Sequence, residues 1–105
     1  MATRSIQGRL IDLTDDGFFV EADQWVEEMI PDLARSEGIA SLTEDQLRVI
    51  KFMRAAYVDK GAAPAVRALS KLAAVPIREL YAMFPNGPAK VAARIAGVPK
   101  PRGCI

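Results

Sequence analysis

Apolar and polar positions alternate in blocks along this chain, and each block predicts an element. Near the start, Ser5-Ile6-Gln7-Gly8-Arg9-Leu10-Ile11 sets a glycine between two short apolar stretches. Asp15-Asp16-Gly17 is a second turn signal, followed by Phe18-Phe19-Val20. This is the pattern of a small β-hairpin or meander. An isolated hairpin is marginal in water, so it must pack on the rest of the chain. From residue 24 the period lengthens. Trp25, Met29 and Leu33 recur every four residues with Val26 and Ile30 beside them, which predicts a helix from Gln24 to about Ser36 capped by Asp23. Glu27 and Glu28 suit its early turns, Pro31 should kink or split it, and Gly38 ends it.

The second half reads as four more helices. Thr43 and Gln46 form a capping box, and Leu47, Ile50, Met53 and Tyr57 give the inner face of a helix running to about Asp59, with Gly61 as its stop. Pro64 fits the first turn of a helix carrying Val66, Leu69 and Leu72. Pro76 opens a short helix with Leu80, Met83 and Phe84 inward, and Pro85-Asn86-Gly87-Pro88 is a turn. A last helix runs from about Pro88 to Ala96 and ends at Gly97. Beyond it, Val98-Pro99-Lys100-Pro101-Arg102-Gly103-Cys104-Ile105 has alternating prolines and no helical option, which predicts an extended, polyproline-like arm. The expectation is a mostly α fold of the α+β kind: one domain over 1–97 with a small hairpin and about five helices, then a flexible arm over 98–105.

Composition narrows the chemistry. The 105 residues are half apolar and 26% charged, which fits one ordinary globular domain. No apolar run approaches the roughly 18 residues of a membrane span, and Met1-Ala2-Thr3-Arg4-Ser5 lacks the apolar stretch of a signal peptide, so a cytoplasmic location is expected. There is one cysteine and no histidine. That excludes an internal disulfide, a structural zinc site and a Cys-His dyad within the chain. No cofactor or metal is implied. What stays open is thiol chemistry on Cys104, unaided or helped by a partner.

Charge is asymmetric. The net charge is +1, yet residues 1–50 carry four Lys/Arg against eleven Asp/Glu, while residues 51–105 carry ten Lys/Arg with only Asp59 and Glu79 as acids. The halves sit near −7 and +8, so the second half suits docking on an acidic surface or on nucleic acid. A helix-turn-helix around Ala73–Pro76, with Arg78, Lys71 and Arg67 nearby, is the DNA-binding alternative. Arg78, Tyr81 and Asn86 are too few to argue sequence readout. The arm is the sharper signal: Pro99 and Pro101 stiffen it, Gly103 frees the backbone before the thiol, and Lys100 and Arg102 flank it. An eight-residue polyproline-like arm reaches on the order of 25 Å. Lys100 and Arg102 pull the Cys104 thiol down and the terminal carboxylate pushes it up, so in an extended arm the two nearly cancel and activation must come from docking. Lys90 and Arg94 lie four apart and share one face of the last helix, extending the basic strip. That strip is either a solvated face or a surface that docks a partner and stabilises the thiolate.

The segment Leu80-Tyr81-Ala82-Met83-Phe84-Pro85-Asn86-Gly87-Pro88-Ala89-Lys90, followed by Ile95-Ala96-Gly97-Val98-Pro99-Lys100-Pro101-Arg102-Gly103-Cys104-Ile105, closely resembles the DsrC/TusE family of sulfur-relay proteins. The resemblance extends upstream through Asp16-Gly17-Phe18, Trp25, Glu37-Gly38-Ile39, Leu42-Thr43-Glu44 and Tyr57. It implies a helical fold with an N-terminal hairpin and a persulfide carried on Cys104. It also implies a protein sulfur donor of the TusBCD or DsrEFH kind and a protein acceptor, either a tRNA-thiolating enzyme or one like sulfite reductase. Direct nucleic-acid binding ranks below these partners, and no membrane is involved. The chain departs from the family in two places. Ala93 stands where the DsrC branch has a second cysteine, so an intramolecular disulfide or trisulfide is impossible, which favours TusE-like transfer or a single-cysteine accessory of sulfur metabolism. Gln46-Leu47 replaces a His-Trp pair found in many members.

Overall fold

The computed structural model describes residues 2–101. Strands β1 (Ala2–Ile6) and β2 (Arg9–Leu13) pair antiparallel, with Ile6 opposite Arg9 and Ala2 opposite Leu13. Gln7 and Gly8 both take positive φ (52° and 78°), the two-residue turn whose twist matches paired strands. After β2, Thr14 organises the acidic turn: its Oγ1 accepts from Phe18 N (3.1 Å) and its carbonyl from Gly17 N (2.9 Å). Phe19 then bridges back to Leu13. Ile6, Ile11, Phe18 and Phe19 are buried, so the hairpin is held by what it covers rather than by its own ladder.

The stretch predicted as one helix from residue 24 is three pieces. Short 3₁₀ turns at Ala22–Gln24 and Glu27–Met29 precede α1 (Ile30–Ser36). Pro31 lies in the first turn of α1, where its missing N–H costs nothing, so it opens the helix instead of kinking it. Asp23 lies inside the first 3₁₀ turn and caps nothing. Met29, Ile30 and Leu33 are still buried, because the apolar spacing serves the core even though the backbone is broken between them.

Helix α2 (Glu44–Lys60) begins with the expected capping box: Gln46 N donates to Thr43 Oγ1 (3.0 Å) and Thr43 N to Gln46 Oε1 (2.9 Å). Gln46 also donates to Met83 O (2.8 Å), tying this end to the fourth helix. Thr43→Ala removes one half of the box, and chemical denaturation should show a loss of about 1 kcal/mol; a loss below the measurement error would mean that water replaces the cap at no cost. Helices α3 (Val66–Ala73) and α4 (Ile77–Met83) come next, joined through Ala74, which adopts a left-handed conformation (φ 56°). They are the expected helix-turn-helix-like pair. Pro64 precedes α3 rather than entering it, and Leu72, expected inward, is 43% exposed while Leu69 and Ala73 fill the core.

Helix α5 (Pro88–Ala96) is the centre of the fold. Ala89, Val91, Ala92, Ala93, Ile95 and Ala96 are all buried, so this helix is apolar nearly all round, as a helix surrounded by others must be. Its main neighbour is α2, with α1, α3 and α4 also against it. Small alanines let those neighbours approach closely. Only Lys90 and Arg94 break the apolar surface of α5, and both point to the side where the acidic turn after β2 lies. No helix among the described residues is long and apolar enough to cross a membrane.

Candidate functional site

Cys104 and Arg102, the thiol and the cation next to it, lie outside the described residues. The other three candidates, Lys90, Arg94 and Lys100, are brought together. They line one cleft of about 220 Å³ with Asp16 and Phe18, so the face of α5, the root of the arm and the acidic turn after β2 meet there. Residues 98–101 lie against the body: Val98 and Pro101 are buried, and Val98 N donates to Ala93 O (3.1 Å). Lys100 Nζ reaches Asp16 Oδ2 at 3.1 Å.

The cations of the cleft are not equivalent. Arg94 is committed: Nε donates to Asp16 O (3.0 Å), Nη1 to Glu37 Oε1 (3.1 Å), and the guanidinium lies 4.9 Å from the Phe18 ring centroid. With Arg94 and Glu37 at 25% and 18% exposure, this pair is better shielded than an ordinary surface pair. Arg94 is thus the staple that holds the acidic turn and the end of α1 onto α5. Lys100 is exposed and shares its charge with Asp16. Lys90 is half-buried and makes no hydrogen bond or ion pair with the described residues. Asp16 and Glu37 offset two of the three positive charges, and the excess sits on Lys90.

A second cluster at the root of the arm is built on Arg54, which is not among the candidates read from the sequence, and on Trp25, read there as a helix-face residue and a point of family resemblance. Trp25 Nε1 donates to Ile95 O (2.9 Å), and the Arg54 guanidinium lies 4.1 Å above the Trp25 ring. Arg54 Nη1 donates to Ala96 O (3.0 Å) and Gly97 O (3.2 Å), and Nη2 to Ala22 O (3.0 Å). Burial pulls the Arg54 guanidinium below its ordinary value, opposed by Tyr57 and Asp23. One signal for it exists: Arg54 follows Ile50 by four residues and precedes Tyr57 by three, which places a charge inside the apolar stripe of α2. A charge so placed requires partners.

The remaining basic candidates behave differently. Arg67, Lys71 and Arg78 on α3 and α4 are exposed and make no ion pair with the described residues, and Tyr81 is 44% exposed. Nothing gathers these side chains into a cleft like that of α5. Among the described residues no cluster of carboxylate, thiol or imidazole groups could hold a metal ion.

A hairpin lying on a helical body, a buried final helix and a cleft that joins Lys90 and Arg94 of that helix to Lys100 make up the frame of this domain. The chain belongs to the DsrC-like family, whose profile, described as "DsrC like protein", matches residues 5–105. It is 38% identical over 105 residues to the dissimilatory-type sulfite reductase subunit gamma of Nitratidesulfovibrio vulgaris, covering all of both chains. It is 42% identical over 106 residues to the sulfurtransferase TusE of Yersinia pseudotuberculosis, covering 94% of this chain and 97% of that one. Among solved structures, the crystal structure of dissimilatory sulfite reductase I includes a chain that matches with a TM-score of 0.85 and 38% identity, over 99% of this chain and 100% of that one. The NMR structure of Allochromatium vinosum DsrC matches with a TM-score of 0.83 and 34% identity, over 98% and 97%. The hairpin, the helical body and the family expected from the sequence are therefore correct. The relatives' names speak of sulfite reductase and sulfur transfer, and the DNA-binding alternative gains nothing from them.

Proposed function

We propose that this protein is a stoichiometric sulfur carrier that holds a persulfide on Cys104. The observation that carries the reading is the cleft at the root of the arm, where Lys90, Arg94 and Lys100 gather a few residues before the thiol. Three more residues of chain past Pro101 reach at most about 10 Å. The cleft thus sets a positive field within range of a thiolate or persulfide anion, and Lys90 has its charge to spare. Names borne by relatives, a sulfurtransferase and a sulfite reductase subunit, agree with this chemistry.

The step balances without an outside oxidant. The Cys104 thiolate attacks the outer sulfur of a donor cysteine persulfide. A new S–S bond forms on Cys104, the donor's S–S bond breaks, and the donor leaves as its thiolate. The reverse geometry delivers the sulfur to an acceptor. With Ala93 in place of a second thiol, the chain cannot release the sulfur by closing a disulfide on itself, so an acceptor protein must take it. The donor in this reading is a complex of the TusBCD or DsrEFH kind. The acceptor is a tRNA-thiolating enzyme or a protein like sulfite reductase.

Incubation with a persulfide donor should add about 32 Da to the intact protein, the mass of one sulfur, and reductant should remove it. Cys104→Ser should gain nothing. Equal gain in that variant overturns the assignment.

A further inference from the structure

Resting on the carrier reading, we propose that Arg54 and Trp25 are positioning residues that aim the arm, fixing the direction in which the backbone leaves α5 toward Cys104. The end of α5 does not need them for closure. Gly97 N and Val98 N already donate to Ala93 O, which terminates the helix by its own backbone. Trp25 and Arg54 add donors from two other segments to the three carbonyls of Ile95, Ala96 and Gly97. Arg54 further ties this end to Ala22 in the segment that carries Trp25. Two separate stretches of chain thus converge on the last turn before the arm, while the core around Ile95 and Val98 is already closed.

The chemistry of Arg54 points the same way. A cation partly withdrawn from water in an apolar stripe is not the most stabilising choice, since a packed apolar side chain often does as well or better. What a guanidinium supplies is a planar fork of donors in fixed geometry, and here the fork spans two successive carbonyls and a third on another segment. Its positive charge also complements the C-terminal end of the helix. The Trp25 side chain fills the space above Gly97 that any Cβ would occupy, so the ring closes over the backbone that the fork holds.

The chain itself supplies the probe. It has one tryptophan, Trp25, and one cysteine, Cys104, so an acceptor fluorophore on the thiol reports a single donor–acceptor distance by time-resolved energy transfer. Arg54→Leu should broaden that distance distribution. In unlabelled protein it should lower the saturating rate of sulfur uptake from the donor about tenfold or more, since small misplacements of reacting groups cost that much. Its half-saturating donor concentration and the alkylation rate of Cys104 by a small reagent should not change, because neither depends on where the arm points. Arg54→Lys keeps the charge without the fork and should fall between; it decides the matter if the leucine variant does not fold. An unchanged distance distribution, or a broadened one with wild-type transfer rates, overturns the inference while leaving the carrier reading intact. Failure of the wild-type protein to load sulfur overturns the carrier reading itself.

Discussion

Gly97→Ala should cost about 4 kcal/mol, the largest loss expected from removing no atom at all. Two effects add. Gly97 sits at φ 69° and ψ 35°, the left-handed region, where an L side chain costs about 1–2 kcal/mol. The new Cβ would also meet Cβ, Cγ and Cδ1 of Trp25 well inside van der Waals contact. The indole must then move, losing its hydrogen bond to Ile95 O and its place beneath Arg54. A lost hydrogen bond to a buried carbonyl contributes roughly 1–3 kcal/mol. For a domain of this size the sum corresponds to a fall in Tm of about 20 °C or more. The same substitution in a Trp25→Ala background separates the terms, because only the backbone cost remains there. If Gly97→Ala costs the same in both backgrounds, the ring is not what excludes a side chain at this position.

Trp25 also shows where local pattern stops being informative. Its spacing from Met29 and Leu33 fits one amphipathic helix, and local period alone places it inside one. The partner that decides its position is the carbonyl of Ile95, seventy residues away, and no local period reports it. Pro31 is ambiguous in the same way: proline opens helices and breaks them, and the choice depends on whether the preceding turn can be 3₁₀. Signals confined to a few residues are legible. The Thr43–Gln46 box, Gly61 (φ 75°) and the Pro88–Gly97 span stand where their local chemistry predicts. The central role of α5 is half legible. Its alanines and the absence of acidic residues mark a helix with little need of water, but only the neighbours on every side show that it is the core.

The site divides along the same line. Spacing alone puts Lys90 and Arg94 on one face, and the prolines and the lone cysteine single out the arm. That Glu37 and Asp16 from the acidic half occupy Arg94 and Lys100 is not legible, because the contacts span 57 to 84 residues. The opposed charges of the two halves therefore partly meet inside the molecule. What faces a partner is less positive than the count for residues 51–105 suggests.

That division gives opposite expectations for two substitutions one helical turn apart. Lys90→Glu should leave stability within about 0.5 kcal/mol of wild type, because Lys90 gives up no bond to the described residues. Arg94→Glu should cost about 3 kcal/mol. It removes the donors to Asp16 O and Glu37 Oε1, exposes the Phe18 face, and sets a second carboxylate beside Glu37. For sulfur uptake the order reverses once stability is matched by temperature. Lys90→Glu puts a negative charge where the carrier reading needs a positive one, next to an arriving persulfide anion and an acidic partner surface. Uptake from the donor should slow about tenfold, equivalent to about 1.4 kcal/mol. Wild-type uptake should fall with added salt, since exposed charges are screened beyond about 8 Å at physiological ionic strength, and the Lys90→Glu rate should depend on salt far less. Stopped-flow transfer at several salt concentrations, with circular dichroism to confirm the fold, reads both. A Lys90→Glu variant that folds, loads sulfur at the wild-type rate and keeps the wild-type salt slope would make the cleft a structural feature of α5 and leave the arm alone to carry the function.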